Sequence, residues 1–121
     1  MKKRMVIQEH NAVKAGLHWD LRFEHNGVLQ SWVIPKAHLP EAKQQLLAME
    51  VADHPLSWGS FDGEIKEGYG KGMVKLIQNS PVNINDYTEK KITFQYEDIN
   101  YVLYKAPFLK GKGTWLIKQK N

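Results

Sequence analysis

Apolar and polar residues alternate in short stretches along most of the chain, and this pattern predicts a protein built mainly of β-strands. Successive side chains of an extended strand point to opposite faces, so alternation marks a strand with one buried and one solvent-facing side. Eight such segments occur, at residues 5–9, 17–25, 28–34, 61–65, 73–78, 91–96, 101–104 and 114–118. We therefore predict a mainly β fold, a small closed or partly closed barrel of about eight strands with one short helix.

Turn residues and helix formers interrupt the alternation at three places. Asn26-Gly27 lies between two alternating segments and predicts a hairpin, because a type I′ turn needs positive φ at both central residues. Residues 40–49 begin with proline and glutamate and are rich in helix formers, so the short helix is predicted there. A glycine-rich stretch at residues 63–72 precedes the next strand signal and indicates a bend or bulge.

The second strand segment holds the most informative side chains. Two sets alternate along it, an apolar set of Leu17, Trp19, Leu21 and Phe23 and an ionisable set of His18, Asp20, Arg22 and Glu24. The apolar set predicts the core side, so the ionisable residues share the solvent side at spacings of about 7 Å. Histidine and aspartate bind metal ions and arginine binds phosphate, which indicates a metal-assisted phosphate site. An ordinary solvated strand face is the alternative.

Length, hydropathy and cysteine content limit the class of protein. The 121 residues are the length of one domain, and we expect a single domain over residues 1–121. Apolar runs stay well below the roughly 20 residues of a membrane span, and the basic start is followed by too few apolar residues for a signal peptide. We therefore expect a cytoplasmic protein with no membrane partner. The absence of cysteine excludes thiolate ligands and leaves histidine and carboxylates to bind a metal.

Two further histidines and one lysine complete the candidate site. His10 ends the first strand signal and adds a second imidazole to His18 and Asp20, a set that suits Mn²⁺, Fe²⁺ or Zn²⁺. The proline after His54 restricts it to extended geometry, and a rigid histidine beside a metal can bind a phosphoryl oxygen or protonate a leaving oxygen. Lys36 ends a strand near the same end of the hairpin and can reach a phosphate backbone. Exposed strand-end or turn residues are the alternative for each.

The remaining charged and aromatic residues point more weakly to nucleic acid. A net charge of +4 favours a polyanionic partner, because cations that neutralise phosphates release bound counterions. The tryptophans Trp32, Trp58 and Trp115 can stack on bases, although aromatic residues in strands more often fill the core. A surface ion pair with Glu24 is the alternative role of Arg22. We expect His25 and His38 to be solvated.

Ordered motifs between residues 5 and 75 resemble a known family. They are Gln8-Glu9-His10, His18-Trp19-Asp20-Leu21-Arg22-Phe23-Glu24, Gly27-Val28-Leu29-Gln30-Ser31-Trp32-Val33-Ile34-Pro35-Lys36, Val51-Ala52-Asp53-His54-Pro55-Leu56, Phe61-Asp62-Gly63-Glu64-Ile65 and Gly68-Tyr69-Gly70-Lys71-Gly72. Residues 113–118 are similar to the last strand of the same family. This is the 3′-phosphoesterase domain of bacterial and archaeal DNA ligase D. Motifs in a shared order are far more specific than any one alone.

The resemblance implies a small β-barrel enzyme that heals DNA 3′ ends in non-homologous end joining. It implies Mn²⁺, or another divalent transition metal, and removal of a terminal 3′-phosphate and of 3′-terminal ribonucleotides from DNA or RNA–DNA primer-templates. The roles it implies are metal ligation by His10, His18 and Asp20, phosphate binding by Arg22 and His54, and contact of Lys36 with the substrate backbone. The implied partners are a DNA ligase, a polymerase and Ku.

The chain departs from the usual family pattern at four points. His10 and His18 are two residues farther apart than is usual, which lengthens the connection over residues 11–17. Trp58 stands where many members have tyrosine, and Leu46 stands where some have a basic residue. Nine residues precede His10, so the N-terminal arm is nearly absent. We therefore expect a stand-alone domain whose ligase and polymerase are separate chains, with phosphate removal better supported than ribonucleotide trimming.

Two other functions fit parts of the pattern. A cupin-like non-haem iron oxygenase would use His18, Asp20 and a distant histidine as its iron ligands, although no histidine follows His54 and Arg22 favours a phosphate. A non-catalytic barrel for single-stranded nucleic acid would use the basic and aromatic residues without a metal. Iron-dependent oxygen consumption would support the first, and DNA binding that ignores a chelator would support the second.

Overall fold

The alternating segments form one continuous antiparallel sheet. The computed structural model describes residues 1–120 and has nine strands in that range: β1 (Lys2–Ala12), β2 (Gly16–His25), β3 (Val28–Ile34), β4 (Gln45–His54), β5 (Gly63–Ile65), β6 (Gly72–Tyr87), β7 (Lys91–Tyr96), β8 (Ile99–Lys105) and β9 (Thr114–Gln119). A 3₁₀ helix (Leu56–Ser60) follows β4, and the four-residue helix α1 (Pro107–Lys110) precedes β9. The prediction of a mainly β protein is confirmed.

The sheet closes into a barrel because its first and sixth strands pair. The strands follow the order β1-β2-β3-β4-β9-β8-β7-β6, and β6 pairs with β1, so eight strands enclose the core within residues 1–120. The short β5 lies outside the closed barrel and pairs with the start of β6, with Gly63 opposite Val74. Closure pairs strands that would otherwise be exposed sheet edges. The predicted barrel is confirmed.

Large apolar side chains from every wall fill the barrel. Leu21 and Phe23 are fully buried as predicted, and the rings of Trp32 and Trp115 meet edge to face at a centroid distance of 5.2 Å. These two tryptophans therefore belong to the core instead of a base-stacking surface. The prediction of Leu17 as a core residue is wrong, because it lies beside the β1–β2 turn, beyond the end of the core, and is 51% exposed.

The helix predicted over residues 40–49 is wrong. β4 begins at Gln45 and pairs with both β3 and β9. Leu46 and Ala48 then point into the core with period two, and this burial outweighs the helix propensity of the segment. Leu46 is therefore a core residue and offers no surface position for a basic side chain. Over residues 1–120, no helix combines the length and apolar character needed to cross a membrane.

Two predicted turns have the geometry that their residues favour. Asn26 and Gly27 have φ values of 52° and 80°, so the β2–β3 hairpin turns with both central residues at positive φ as predicted. The glycine-rich stretch bends the chain between β5 and β6, also as predicted. Gly72 ends this bend with a φ of 149° where β6 meets β1. A Cβ on Gly72 would lie 2.2 Å from the backbone oxygen of Asn11.

Gly72→Ala is expected to destabilise the barrel by about 3 kcal/mol, because the added methyl group forces β6 away from β1 and strains the backbone. Urea unfolding of the purified protein measures the loss. Gly111→Ala is the matched control, since Gly111 has a φ of 112° but has no atoms within 4 Å of its added Cβ. Equal losses in the two variants would show that backbone strain alone, and not the close approach of β1, is responsible.

Candidate metal and phosphate site

The ionisable residues lie on the outer face of the barrel, where β1, β2 and β3 run side by side. The register places three pairs opposite one another: His10 and His18, Gln8 and Asp20, and Ser31 and Arg22. Opposed residues of antiparallel strands share a face, so these six side chains form one polar patch. The longer connection between β1 and β2 is accommodated in the turn after Ala12, which leaves His10 directly opposite His18.

Two covering segments turn this patch into the floor of a cleft of about 540 Å³. Trp58 of the 3₁₀ helix lines one side, and Tyr69 and Gly70 of the glycine-rich bend line another. His18, Asp20 and Arg22 share one face as predicted, but they are 7%, 6% and 3% exposed instead of solvated. The expectation of a freely solvated strand face is therefore wrong.

His10, His18 and Asp20 converge at one end of the floor. Their candidate ligand atoms all lie within 4.8 Å of one another. Nδ1 of His10 is 3.8 Å from Oδ2 of Asp20, and Nε2 of His18 is 3.5 Å from Oδ1 of Asp20. The structure thus brings together the three residues that the sequence analysis assigned to a metal.

Backbone carbonyls orient both imidazoles for metal binding. Nε2 of His10 donates to the carbonyl of Gly70 at 2.7 Å, and Nδ1 of His18 donates to the carbonyl of Gly16 at 3.1 Å. A carbonyl oxygen only accepts, so each neutral ring holds its proton there and presents a lone pair on the nitrogen nearer Asp20. Metal-binding histidines commonly have such partners. Two imidazole nitrogens and a carboxylate can bind a divalent transition metal, and the residues fit that group.

Asp20 also changes the protonation of His18. Its carboxylate raises the pKa of His18 above the ordinary value by a hydrogen bond and by its charge, while burial opposes the rise. A proton and a metal ion compete for the same nitrogen of His18, so the affinity for metal falls as the pH is lowered. The raised pKa of His18 thus moves this competition to higher pH.

Arg22 is a buried guanidinium held in place by three partners. Its Nε donates to Oε1 of Gln8 at 2.8 Å, and its Nη1 donates to Oγ of Ser31 at 2.8 Å. Its Nη2 lies 3.6 Å from Oδ2 of Asp20, so the structure pairs Arg22 with Asp20 instead of with Glu24. Burial lowers the pKa of Arg22 and Asp20 opposes this, but arginine remains charged at neutral pH. An oriented cation therefore lies beside the metal-type residues.

Gln8 and Ser31 are site residues to which the sequence analysis assigned no role. Gln8 is fully buried, and its Nε2 donates to the backbone carbonyls of Trp58 at 2.9 Å and Phe61 at 3.1 Å. Its amide therefore ties the guanidinium of Arg22 to the covering 3₁₀ segment. The available signal was its position two residues before His10, which places both side chains on one face of β1.

His54 ends β4 and lies on the other side of Arg22. Its Nδ1 is 3.2 Å from Nη1 of Arg22 and 3.0 Å from the carbonyl of Ala52. Arginine only donates and the carbonyl only accepts, so the proton position on His54 decides which contact is a hydrogen bond. Burial, followed by the charge of Arg22, lowers the pKa of His54 and favours the neutral ring at neutral pH. Its Nε2 is free to donate or accept, depending on the tautomer.

The other predicted residues lie outside this arrangement. Lys36 is exposed in the turn after β3 and is absent from the cleft lining, although its neighbour Pro35 lines the cleft. His25 packs against Tyr87 with ring centroids 4.3 Å apart, and Nδ1 of His38 donates to the carbonyl of Leu39 at 2.7 Å. Both histidines are half-buried, so the expectation that they are solvated is wrong.

Comparison with known proteins gives one family and several relatives. Residues 8–115 match the family described as the DNA ligase D 3′-phosphoesterase domain. The chain is 42% identical over 72 residues to the multifunctional non-homologous end joining protein LigD of Pseudomonas aeruginosa. This match covers 59% of the chain and 8% of that relative. It is 44% identical over 70 residues to LigD of Mycobacterium bovis and 46% identical over 71 residues to LigD of Mycolicibacterium smegmatis, each match covering 57% of the chain and 9% of the relative. The chain therefore spans less than a tenth of the length of these relatives.

Proposed function

The chain belongs to the family of DNA ligase D 3′-phosphoesterase domains, and on this premise we propose that it is a metal-dependent phosphoesterase that removes the 3′-phosphate from DNA ends. The product is a 3′-OH that a ligase can seal in non-homologous end joining. Trimming of a 3′-terminal ribonucleotide from an RNA–DNA primer-template is proposed as a second reaction. The observation that carries the proposal is a buried, oriented Arg22 between a metal-type triad and His54 in one cleft.

The metal-type residues define one side of the proposed reaction. His10, His18 and Asp20 would hold a divalent ion, for which we propose Mn²⁺. A bound divalent ion supplies Lewis acidity and a positive charge to which phosphoryl oxygens align. Asp20 would contribute a ligand oxygen, and its short distances to both imidazoles and to Arg22 support a position between the proposed metal and phosphate sites.

Arg22 supports the proposal through its fixed orientation. Gln8 and Ser31 occupy its Nε and Nη1, which leaves Nη2 on the side of Asp20 and the cleft. A donor that is already oriented stabilises growing phosphoryl charge without reorganisation in the transition state, and it does so more strongly in a buried site than in water. Arg22 is therefore proposed to bind a non-bridging oxygen of the scissile phosphate.

His54 is proposed to donate a second hydrogen bond to the same phosphoryl group. In the neutral tautomer with its proton on Nε2, His54 accepts from Arg22 at Nδ1 and can donate from Nε2. The lowered pKa of His54 is consistent with a neutral ring before substrate binds. A phosphoryl dianion next to His54 favours protonation of the ring, which would then allow proton transfer to a leaving oxygen.

His54→Ala is expected to lower 3′-phosphate release by about a hundredfold, because a hydrogen-bond donor to the phosphoryl charge is lost. The assay follows a primer-template with a 3′-phosphate, and a second one with a single 3′-ribonucleotide, each with Mn²⁺ and with a chelator. His38→Ala is the matched control, since His38 is half-buried outside the cleft and should keep wild-type activity.

This assay, together with measurements of DNA binding and of oxygen consumption, separates the candidate functions. Phosphate release that needs the metal and falls in His54→Ala supports the proposed phosphoesterase. Release that persists with a chelator contradicts the role of the metal. Tight DNA binding without release favours the binding barrel, and iron-dependent oxygen consumption favours the oxygenase. The position of Arg22 beside the triad already disfavours the oxygenase, because a buried cation there is better suited to an anion than to an apolar substrate.

A further inference from the structure

We propose that Tyr69 and the apolar wall of the same cleft bind the base of the terminal nucleotide after that base has left the stack of the DNA end. The inference rests on the proposed function, since it places the phosphate of the same nucleotide on the floor of the cleft. It assigns a specificity role to a part of the cleft that the metal and phosphate chemistry leaves unused. The proposed occupant is a nucleobase, whichever of the four bases ends the strand.

Tyr69 is an exposed ring on a turn whose backbone is held in place. Tyr69 is 74% exposed and occupies the second position of a turn closed by the hydrogen bond from Lys71 N to Gly68 O, at 3.2 Å. The carbonyl of Lys71 accepts from Val13 N at 2.8 Å, and the carbonyl of Gly70 accepts from His10 at 2.7 Å. A ring presented on an anchored turn loses little conformational freedom when a ligand stacks on it.

The cleft has an apolar wall although its floor is charged. Five of its side chains are Leu17, Val33, Met49, Val51 and Ile65. Leu17 and Val51 are 51% and 37% exposed, so they lose contact with water only when a ligand covers them. A phosphate ion alone has no surface that matches such a wall. A nucleotide matches both parts, because it joins an anionic phosphate to a flat, largely apolar ring.

Tyr69 is a better stacking surface than the other aromatic residue of the cleft. Trp58 is stacked on Phe61, with ring centroids 4.5 Å apart and planes 6° from parallel, so one of its faces is already covered. Tyr69 also lines the cleft, next in sequence to Gly70, whose carbonyl contacts His10. A base can lie against this wall only if it leaves the helical stack, as bases do in enzymes that act on them.

A comparison of two DNA ends tests the base site. Wild-type protein is expected to release a 3′-phosphate about tenfold faster, as kcat/KM, from a terminal nucleotide with a base than from an abasic one, in line with stacking on an aromatic ring. Tyr69→Ala is expected to reduce this ratio to about one, whereas Tyr69→Phe keeps the ring and should keep the ratio. A wild-type ratio of one, or an unchanged ratio in Tyr69→Ala, would overturn the proposal.

A binding measurement gives a second readout that needs no turnover. The terminal base is replaced by 2-aminopurine next to an abasic nucleotide, so that its fluorescence is high in the free DNA and is quenched when it stacks on an aromatic ring, and the DNA is bound to saturation by Asp20→Ala protein. We expect a quench that is lost when Tyr69→Ala is added and retained when Tyr69→Phe is added. A quench that survives Tyr69→Ala would contradict the base site. If wild-type protein releases phosphate from neither end, the proposed function fails, and the fluorescence still decides the base site.

Discussion

Asp20→Ala is expected to abolish phosphate release, with a fall of at least about a thousandfold, because it removes the carboxylate shared by the proposed metal and phosphate sites. Oδ1 of Asp20 lies 3.5 Å from His18, and Oδ2 lies 3.8 Å from His10 and 3.6 Å from Arg22. Two imidazoles without the carboxylate hold a hard divalent ion such as Mn²⁺ poorly. The affinity for Mn²⁺, measured by calorimetry, should fall together with the rate.

The control for Asp20→Ala is a carboxylate outside the cleft. Glu89→Ala removes an exposed carboxylate from the β6–β7 turn and should leave both activity and metal affinity at wild-type levels. Circular dichroism checks that both variants keep the barrel. A folded Asp20→Ala protein that still binds Mn²⁺ and still releases phosphate would remove the basis for the metal assignment.

Arg22→Ala is expected to lower phosphate release by about a hundred- to a thousandfold while metal binding persists. The guanidinium is the cation that the structure orients toward the cleft, whereas His10 and His18 are oriented by the backbone carbonyls of Gly70 and Gly16. Arg22→Lys keeps a charge but cannot contact Gln8, Ser31 and Asp20 together, so it should recover only part of the activity. Rates and the affinity for a 3′-phosphate end distinguish these outcomes.

Arg22→Ala also has a signature in the titration of His54. The charge of Arg22 contributes to lowering the pKa of His54, so its removal should raise that pKa toward the ordinary value for histidine. The His54 ring would then take up its proton at a higher pH, which an NMR titration measures. Arg4→Ala is the control, since Arg4 is exposed and contacts Asn79 away from the cleft. Loss of metal binding with unchanged affinity for the DNA end would contradict the role given to Arg22.

Local pattern was enough to predict those features that depend on neighbours along the chain. The period of two in residues 17–24 placed His18, Asp20 and Arg22 on one face of β2, because side chains alternate in any extended strand. Asn26 and Gly27 predicted the β2–β3 turn, because its backbone geometry favours those two residues. The absence of cysteine restricted any metal site to nitrogen and oxygen ligands.

The helix predicted over residues 40–49 failed because helix propensity is weaker than burial in a sheet. Its residues favour a helix when considered alone, but pairing with β3 and β9 buries Leu46 and Ala48 in the barrel. The strand then ends at His54, which brings this histidine 3.2 Å from Arg22. Neither partner strand could be identified from the residues of β4 itself.

Residue types and their alternation thus determined a mainly β barrel and the set of side chains able to bind a metal and a phosphate. Tertiary structure decided how these side chains are used. The covering segments bury the face that alternation marked as solvent-exposed, the buried Gln8 orients Arg22, and the bend over residues 68–71 brings Tyr69 to the cleft. The reason is that burial and hydrogen bonds between distant segments depend on strand order and register, which no local pattern encodes.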